Sequence, residues 1–232
     1  MAAPRARRLE LALGACAVLA LGVGAIDVAR SLVTEGALET SDFAIFRAGG
    51  ALVLRGADPY DRAAQEEAMR ELLGGEHAGG HLGFLLPPHA ALLFAPLARL
   101  PLAPAFALFA LLSAVLLSRL VYVLADLARA DIGAVALVVC ALGPLHATFR
   151  LGQLAIVCTL ALAELVRALR DGRDVPAGIA LAVLTLKPQF VPVVALFLVG
   201  GVRWRALLAF ALAIVILAAP SLIVLGPGAW RA

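Results

Sequence analysis

Apolar residues run in long blocks broken by short arginine-bearing connections, and the blocks set out the elements. Behind Arg5, Arg7 and Arg8, the run from Leu11 to Ile26 predicts a first helix over about Leu9 to Val28. Residues 30–84 then form the one long polar stretch. Within it, Asp42 to Leu54 predicts a short helix opened by Thr40, Ser41 or Asp42, and Ala63 to Leu73 a second opened by Asp61. Gly56, Asp58 and Pro59 make the turn between them. In the second helix Ala64, Ala68, Met69 and Leu72 form a stripe opposite Arg62, Glu66, Glu67 and Arg70, which predicts a helix lying on the membrane surface. The glycine-rich run from Gly74 to Gly83 predicts a mobile connection. Leu85 to Leu100 is apolar but interrupted by Pro87, Pro88 and Pro96, and further apolar blocks follow at 105–126, 132–149, 151–168, 176–200 and 204–225.

Arginines orient these blocks. Arg129, then Arg167, Arg170 and Arg173, then Arg203 and Arg205 occupy three short connections, which the positive-inside rule places in the cytoplasm with the N-terminus. All three stay inside if Leu85 to Leu100 is a surface or re-entrant helix and if 176–200 leaves and returns as a short hairpin turning near Lys187 and Pro188. A single crossing by 176–200 is the competing arrangement, since each arm of a hairpin holds far fewer than the ~20 residues of a full span. The predicted organisation is a first transmembrane helix (1–29), an outer loop with surface or re-entrant helices (30–104) and a transmembrane helical body (105–225). Retention of the first helix is expected, because no small-residue cleavage site precedes a soluble mature domain.

Composition sharpens the class. Of 232 residues 63% are hydrophobic and 15% charged, with mean hydropathy +1.00, against about 25% charged in soluble domains. The fold class expected is all-α, a polytopic helical membrane protein. A nucleic-acid binder, a secreted disulfide scaffold and a cytosolic enzyme all fit poorly. Cys16, Cys140 and Cys158 lie in apolar stretches and form no disulfide framework.

In this topology the outer side collects Asp42, Arg47, Asp58, Tyr60, Pro87 to His89, His146, Arg150, Gln153, Lys187 and Gln189. Ionisable groups at a membrane edge are costly and mark functional cavities. Asp42 reads either as a helix N-cap or as a general base, because an ionised carboxylate takes the proton of an attacking hydroxyl. Lys187, the one lysine among 19 basic residues, reads as a snorkelling residue or as a point charge for an anionic headgroup. Arg150 and Gln153 sit at a tight turn and serve either as helix caps or as ligands. His77 and His81 beside Glu76 have chelating spacing, but their glycine surroundings favour a disordered segment over a metal site. His89 and His146 read as structural. No phosphate-cradling glycine loop, catalytic serine motif or zinc motif is present.

Several segments, in order, resemble glycosyltransferase family 87, the DUF2029 group that includes mycobacterial polyprenol-phosphate-mannose-dependent alpha-1,2-mannosyltransferases. They are Ser41-Asp42-Phe43, then Arg55-Gly56-Ala57-Asp58-Pro59-Tyr60-Asp61, then Phe84-Leu85-Leu86-Pro87-Pro88 continuing to Leu100. Gly152-Gln153, Leu186-Lys187-Pro188-Gln189 and Arg203-Trp204-Arg205 complete the set. The resemblance implies a GT-C-like fold with its site at the outer leaflet of a bacterial cytoplasmic membrane. It implies a polyprenyl-phosphate sugar donor, mannose or arabinose-like, and a cell-envelope glycolipid or glycan acceptor, joined with inversion and with no metal or other cofactor required. It gives Asp42 the family's catalytic role, and leaves Lys187, Arg150, Gln153, Arg47, Asp58, Tyr60 and Gln189 as donor-phosphate or substrate ligands. Two departures are Leu86, where the family has Tyr, and the end of the chain at Ala232, which suggests a fragment or a shortened homologue. A lipid or solute transporter is the rival reading, since broken helices at Pro87 and Pro188 suit one, but no inverted internal repeat accompanies them. An inactive lipid-binding remnant is the third.

Overall fold

The computed structural model describes residues 41–73 and 83–230, together with positions 22, 25, 26, 28–30, 32 and 38. The described positions between 22 and 32 are helical and position 38 is in a turn; the rest of the predicted first helix lies outside the described residues, as do His77, His81, Glu76 and most of the glycine-rich run. The described part is all helical: α1 (Asp42–Leu54), α2 (Arg62–Leu73), α3 (Pro88–Ala98), α4 (Leu102–Ala128), α5 (Ile132–Ala141), α6 (Gly143–Leu151), α7 (Ala155–Arg170), α8 (Asp174–Val183), α9 (Val191–Gly200) and α10 (Trp204–Leu225). Short 3-10 turns at Leu184–Leu186 and Pro188–Phe190 join α8 to α9, and another covers Gly228–Trp230.

Among the described residues two helices, α4 with 27 residues and α10 with 22, are long and apolar enough to cross a membrane. At 1.5 Å per residue α4 is about 40 Å long, more than a bilayer core of ~30 Å. The block at 132–149, expected as one crossing, is instead two helices bent by 66° at Leu142, where Gly143 and Pro144 interrupt the ladder. His146 Nε2 donates to the Cys140 carbonyl at 3.0 Å, and Thr148 Oγ1 donates to the Pro144 carbonyl at 2.8 Å, so polar groups near the break are satisfied by side chains.

Prolines fix α3 as well. Pro87 and Pro88 start it, Pro96 lies inside, and its 11 residues span about 16 Å, too little to cross. It packs across α1 where Gly49 and Gly50 clear the way: a Cβ on Gly50 would lie 2.6 Å from the Phe94 backbone carbon, and one on Gly49 2.5 Å from Phe84 Cδ2. Phe43 and Phe46 of α1, Phe94 of α3, and Phe106 and Phe109 of α4 form one aromatic cluster with centroids 5.1–6.3 Å apart.

The apolar stripe of α2 is used differently from expectation. Ala68 and Met69 are buried with Ala44, Ala48 and Leu52 of α1, and Ala64 and Leu72 pack beside them, so the stripe meets protein rather than the membrane surface. Tertiary packing gives a short amphipathic helix a partner that its own periodicity does not name.

Residues 174–203 leave and return. Arg203 Nη1 lies 3.2 Å from Asp174 Oδ1, joining the end of the segment to its beginning. Beside that pair α8 and α10 meet so closely that a Cβ on Gly178 would sit 2.2 Å from the Ala206 carbonyl oxygen. The reversal falls at Lys187 and Pro188 between the two 3-10 turns. The far end of α4 is locked to α7 by charge, with Arg119 to Glu164 at 2.6 Å, Arg167 to Asp126 at 3.0 Å and Arg170 to Asp126 at 2.6 Å. The guanidiniums of Arg119 and Arg167 also lie 5.3 and 5.4 Å from the Tyr122 ring centroid.

Candidate functional site

The start of α1 decides what Asp42 is available to do. Ser41 is the N-cap: its hydroxyl accepts from Ala44 N–H at 3.2 Å and donates to the Leu38 carbonyl at 2.6 Å, and the residue is fully buried. Asp42 is therefore the first helical residue, not the cap. It is half-buried and makes no hydrogen bond or ion pair among the described residues. The helix N-terminus favours its negative charge.

A second turn is pressed onto the residue beside it. Gly152 follows α6 with φ +64°, and a Cβ there would stand 2.5 Å from Phe43 Cβ and 3.2 Å from Phe106 Cε2. Only glycine allows both the left-handed backbone and the contact. Gln153, whose backbone N–H donates to the Thr148 carbonyl at 3.0 Å, is thus brought to the Asp42 end of α1 with its side-chain amide uncommitted among the described residues. Arg150, exposed in the last turn of α6, makes no ion pair among them either.

The segment before α3 is strapped in place by the polar loop. Tyr60 O–H donates to the Leu86 carbonyl at 2.6 Å and its ring packs edge-on to Phe84 at 5.8 Å, while Phe84 N–H donates to Gln65 Oε1 at 3.0 Å. Burial, with the Asp58 carboxylate adding to it, pushes the Tyr60 phenol up to about 12. Asp58 Oδ1 accepts from Tyr60 N–H at 2.9 Å and closes the turn. This strap delivers His89, buried at the start of α3, against Thr185. Thr185 Oγ1 donates to the Ala182 carbonyl at 2.6 Å, so at the 3.2 Å contact His89 Nε2–H donates to Thr185 Oγ1. That fixes the neutral tautomer, leaves Nδ1 as a buried acceptor without a partner among the described residues, and agrees with burial lowering the His89 pKa. Trp230 stacks on the imidazole with centroids 6.3 Å apart.

Lys187 follows two residues after Thr185. It is half-buried, in extended backbone between the 3-10 turns. Leu154, next after Gln153, and Leu184 and Leu186, which flank Thr185, belong to the same buried core as Phe43. α7 and α8 pack together on either side of the Arg170–Arg173 turn, so the start of α7 after Gln153 and the reversal at Lys187 lie toward the same end; Thr185 holds His89 there, and the Gly152 contact with Phe43 brings in Asp42.

Three expected ligands are occupied elsewhere. Arg47 closes the C-terminus of α3, donating from Nε to the Leu100 carbonyl at 3.1 Å and from Nη2 to the Ala98 carbonyl at 3.2 Å. Asp58 and Tyr60 hold the turn and the strap just described. Gln189 is exposed beyond the reversal. His89, read from sequence as structural, is the residue whose bare acceptor the sequence did not reveal; its lone polar place in Pro87-Pro88-His89-Ala90-Ala91 was the available signal. Among the described residues no three His, Cys, Asp or Glu side chains come together as a metal site.

A helical membrane protein with a polar cluster at one end of its bundle is the class these features define. The family model of glycosyltransferase family 87 matches residues 84–232, and the chain belongs to that family. It is thus a membrane glycosyltransferase by family. The match contains Phe84 to Pro88, Gly152-Gln153 and Lys187-Pro188-Gln189, whereas Asp42 lies before it. No curated protein and no solved structure matches the chain.

Proposed function

We propose that the protein is an inverting hexosyltransferase that moves a sugar, mannose or arabinose-like, from a polyprenyl phosphate to a glycolipid or glycan acceptor of the cell envelope. The observation that carries this reading is the Ser41 cap, which leaves the Asp42 carboxylate free beside the Gly152-Gln153 turn. Asp42 takes the proton of the acceptor hydroxyl as its oxygen bonds to the anomeric carbon. The bond from that carbon to the lipid phosphate breaks, and the phosphate leaves with the electron pair. Lys187 and Arg150 are the cations that stabilise the departing phosphate, in surroundings where a fixed charge acts more strongly than in water.

Asp42→Asn tests the assignment. Ser41 keeps the cap, so the fold stays while transfer falls by about 100-fold or more, within the 10²–10⁴ range of general-base catalysis. Near-normal transfer of labelled sugar in membranes carrying the Asn protein returns Asp42 to a structural part.

The site belongs on the extracytoplasmic face of a bacterial cytoplasmic membrane, because the arginine-bearing connections gather at the opposite end. Cysteines introduced as Ala57→Cys and Gly172→Cys report on this. An impermeant thiol reagent should label the first and spare the second in intact cells, and labelling of the second reverses the orientation.

A further inference from the structure

The start of α3 leaves two polar groups of one residue uncommitted. Pro88 opens the helix and brings no N–H, so the first backbone N–H of α3 belongs to His89, and no side chain caps it. Ala90 N–H turns back to the Pro87 carbonyl at 2.8 Å, whereas His89 N–H makes no hydrogen bond among the described residues. Neither does Nδ1 of the same residue, although His89 is only 5% exposed and an unmet acceptor at that depth carries the desolvation cost of the group. Its other ring nitrogen is committed to Thr185.

Those two groups define what fits them. An unprotonated Nδ1 needs a hydrogen and the backbone N–H needs a lone pair, and a hydroxyl supplies both. A phosphate or carboxylate oxygen satisfies the N–H, as anions do at helix starts, but brings only lone pairs to Nδ1. The pair therefore selects a neutral hydroxyl over an anion. Trp230 adds an apolar wall: its indole lies 24° from parallel to the imidazole and is 39% exposed. It is carried on the 3-10 turn that Gly228 opens, behind Gly226 and Pro227. Gly226 holds φ +72°, and a Cβ on either glycine would meet nothing within 4 Å, so no packing at the glycines opposes a small rotation that uncovers the imidazole.

We propose, on the reading that a hexose is the group transferred, that His89 and Trp230 bind a sugar ring: His89 N–H donates to one ring hydroxyl, that hydroxyl donates to Nδ1, and the indole lies against the C–H face of the ring. His89 is then a specificity-determining residue. Its Nε2–H holds Thr185 two residues before Lys187, so the hydroxyl is gripped beside the reversal that carries this cation. A sugar without that hydroxyl leaves Nδ1 unmet, and sites built on a buried polar group reject such analogues strongly.

The test titrates methyl α-mannoside and, in parallel, methyl α-arabinoside into the full chain in phosphatidylcholine nanodiscs, with Trp204→Phe leaving Trp230 as the one tryptophan. One of the glycosides should shift Trp230 emission, and inorganic phosphate at equal concentration should not. His89→Gln and His89→Asn then separate the ring nitrogens. The longer Gln amide reaches where Nε2 was and keeps the bond to Thr185; the shorter Asn amide reaches only where Nδ1 was and keeps an acceptor there. Gln should weaken the glycoside about threefold to tenfold, the value of one neutral hydrogen bond, and Asn should hold it within about twofold. Asn, having lost Thr185, should melt at the lower temperature, so binding and stability rank the two variants oppositely, which a purely structural histidine does not do. No emission shift with either glycoside overturns the proposal, as do an equal shift with phosphate and wild-type affinity in the Gln variant. If the Asn protein does not fold, the Gln variant decides alone, with its melting temperature unchanged. Loading with undecaprenyl phosphate mannose beforehand abolishes the shift if the hydroxyl belongs to the donor sugar and leaves it if it belongs to the acceptor, and either result keeps the site. The titration needs no transfer, so a failure of the Asp42 chemistry shows in the sugar assay and a failure of this site shows here.

Discussion

The two ends of the bundle use charge in opposite ways. Where α4 meets α7, acids and arginines satisfy one another: Arg119 with Glu164, Arg167 and Arg170 with Asp126, and Arg170 and Arg173 with Asp171. At the other end Asp42, Arg150 and Lys187 have no ion-pair partner among the described residues, although Asp42 and Lys187 are half-buried. A half-buried charge without a partner carries a desolvation cost that a paired one offsets. The paired end needs nothing further to be stable. The unpaired end leaves that cost standing, as the proposed binding of an anionic donor requires.

Lys187→Gln gives the largest effect that separates the two ends. Removing one partner of a desolvated charge pair typically costs about 2–5 kcal/mol, so affinity for a polyprenyl-phosphate sugar should fall by roughly 30-fold to several-thousand-fold. Lys187→Arg should recover part of it. Donor binding measured in nanodiscs checks both, and unchanged affinity in the Gln variant would make Lys187 a snorkelling residue like any other.

Gly152→Ala comes next. The new methyl meets Phe43 Cβ in a backbone with φ +64°, so about 1–3 kcal/mol of stability should be lost, and Asp42 should shift with Phe43. Thermal denaturation in detergent and the transfer assay should therefore fall together. A drop in stability with full activity would separate Gly152 from the site.

Arg170→Gln at the paired end is expected to be smallest. Its partners are partly exposed, and such pairs are worth about 0–1 kcal/mol. Melting temperature should move little and donor affinity not at all; a loss of donor binding would show that the two ends are coupled.

Much of the scaffold was legible because local rules decided it. Proline placed the starts of α3 and the reversal near Lys187, and Asp61 capped α2 through Ala64 N–H at 2.7 Å. The arginine pattern pointed to a hairpin at 176–200, and the Arg203 contact with Asp174 now joins its two ends. What the sequence did not carry was partnership across space. Arg47 and Tyr60 read as ligands because an arginine and a tyrosine near a membrane are chemically inviting, yet both donate to backbone carbonyls 26 to 53 positions away. The choice between Ser41 and Asp42 as the cap was likewise a matter of one hydrogen bond, which either side chain is equally able to make.

The returning segment 174–203 has a consequence for counting. Its two arms, 13 residues each, are too short to span a bilayer singly, and the ion pair brings the end of the segment back to its start. A hydropathy window of about 19 residues sums the arms into one strong peak and scores an odd number. Under the proposed orientation, that score puts every element downstream on the opposite side of the membrane. The return of the chain is written in one ion pair, which hydropathy does not see.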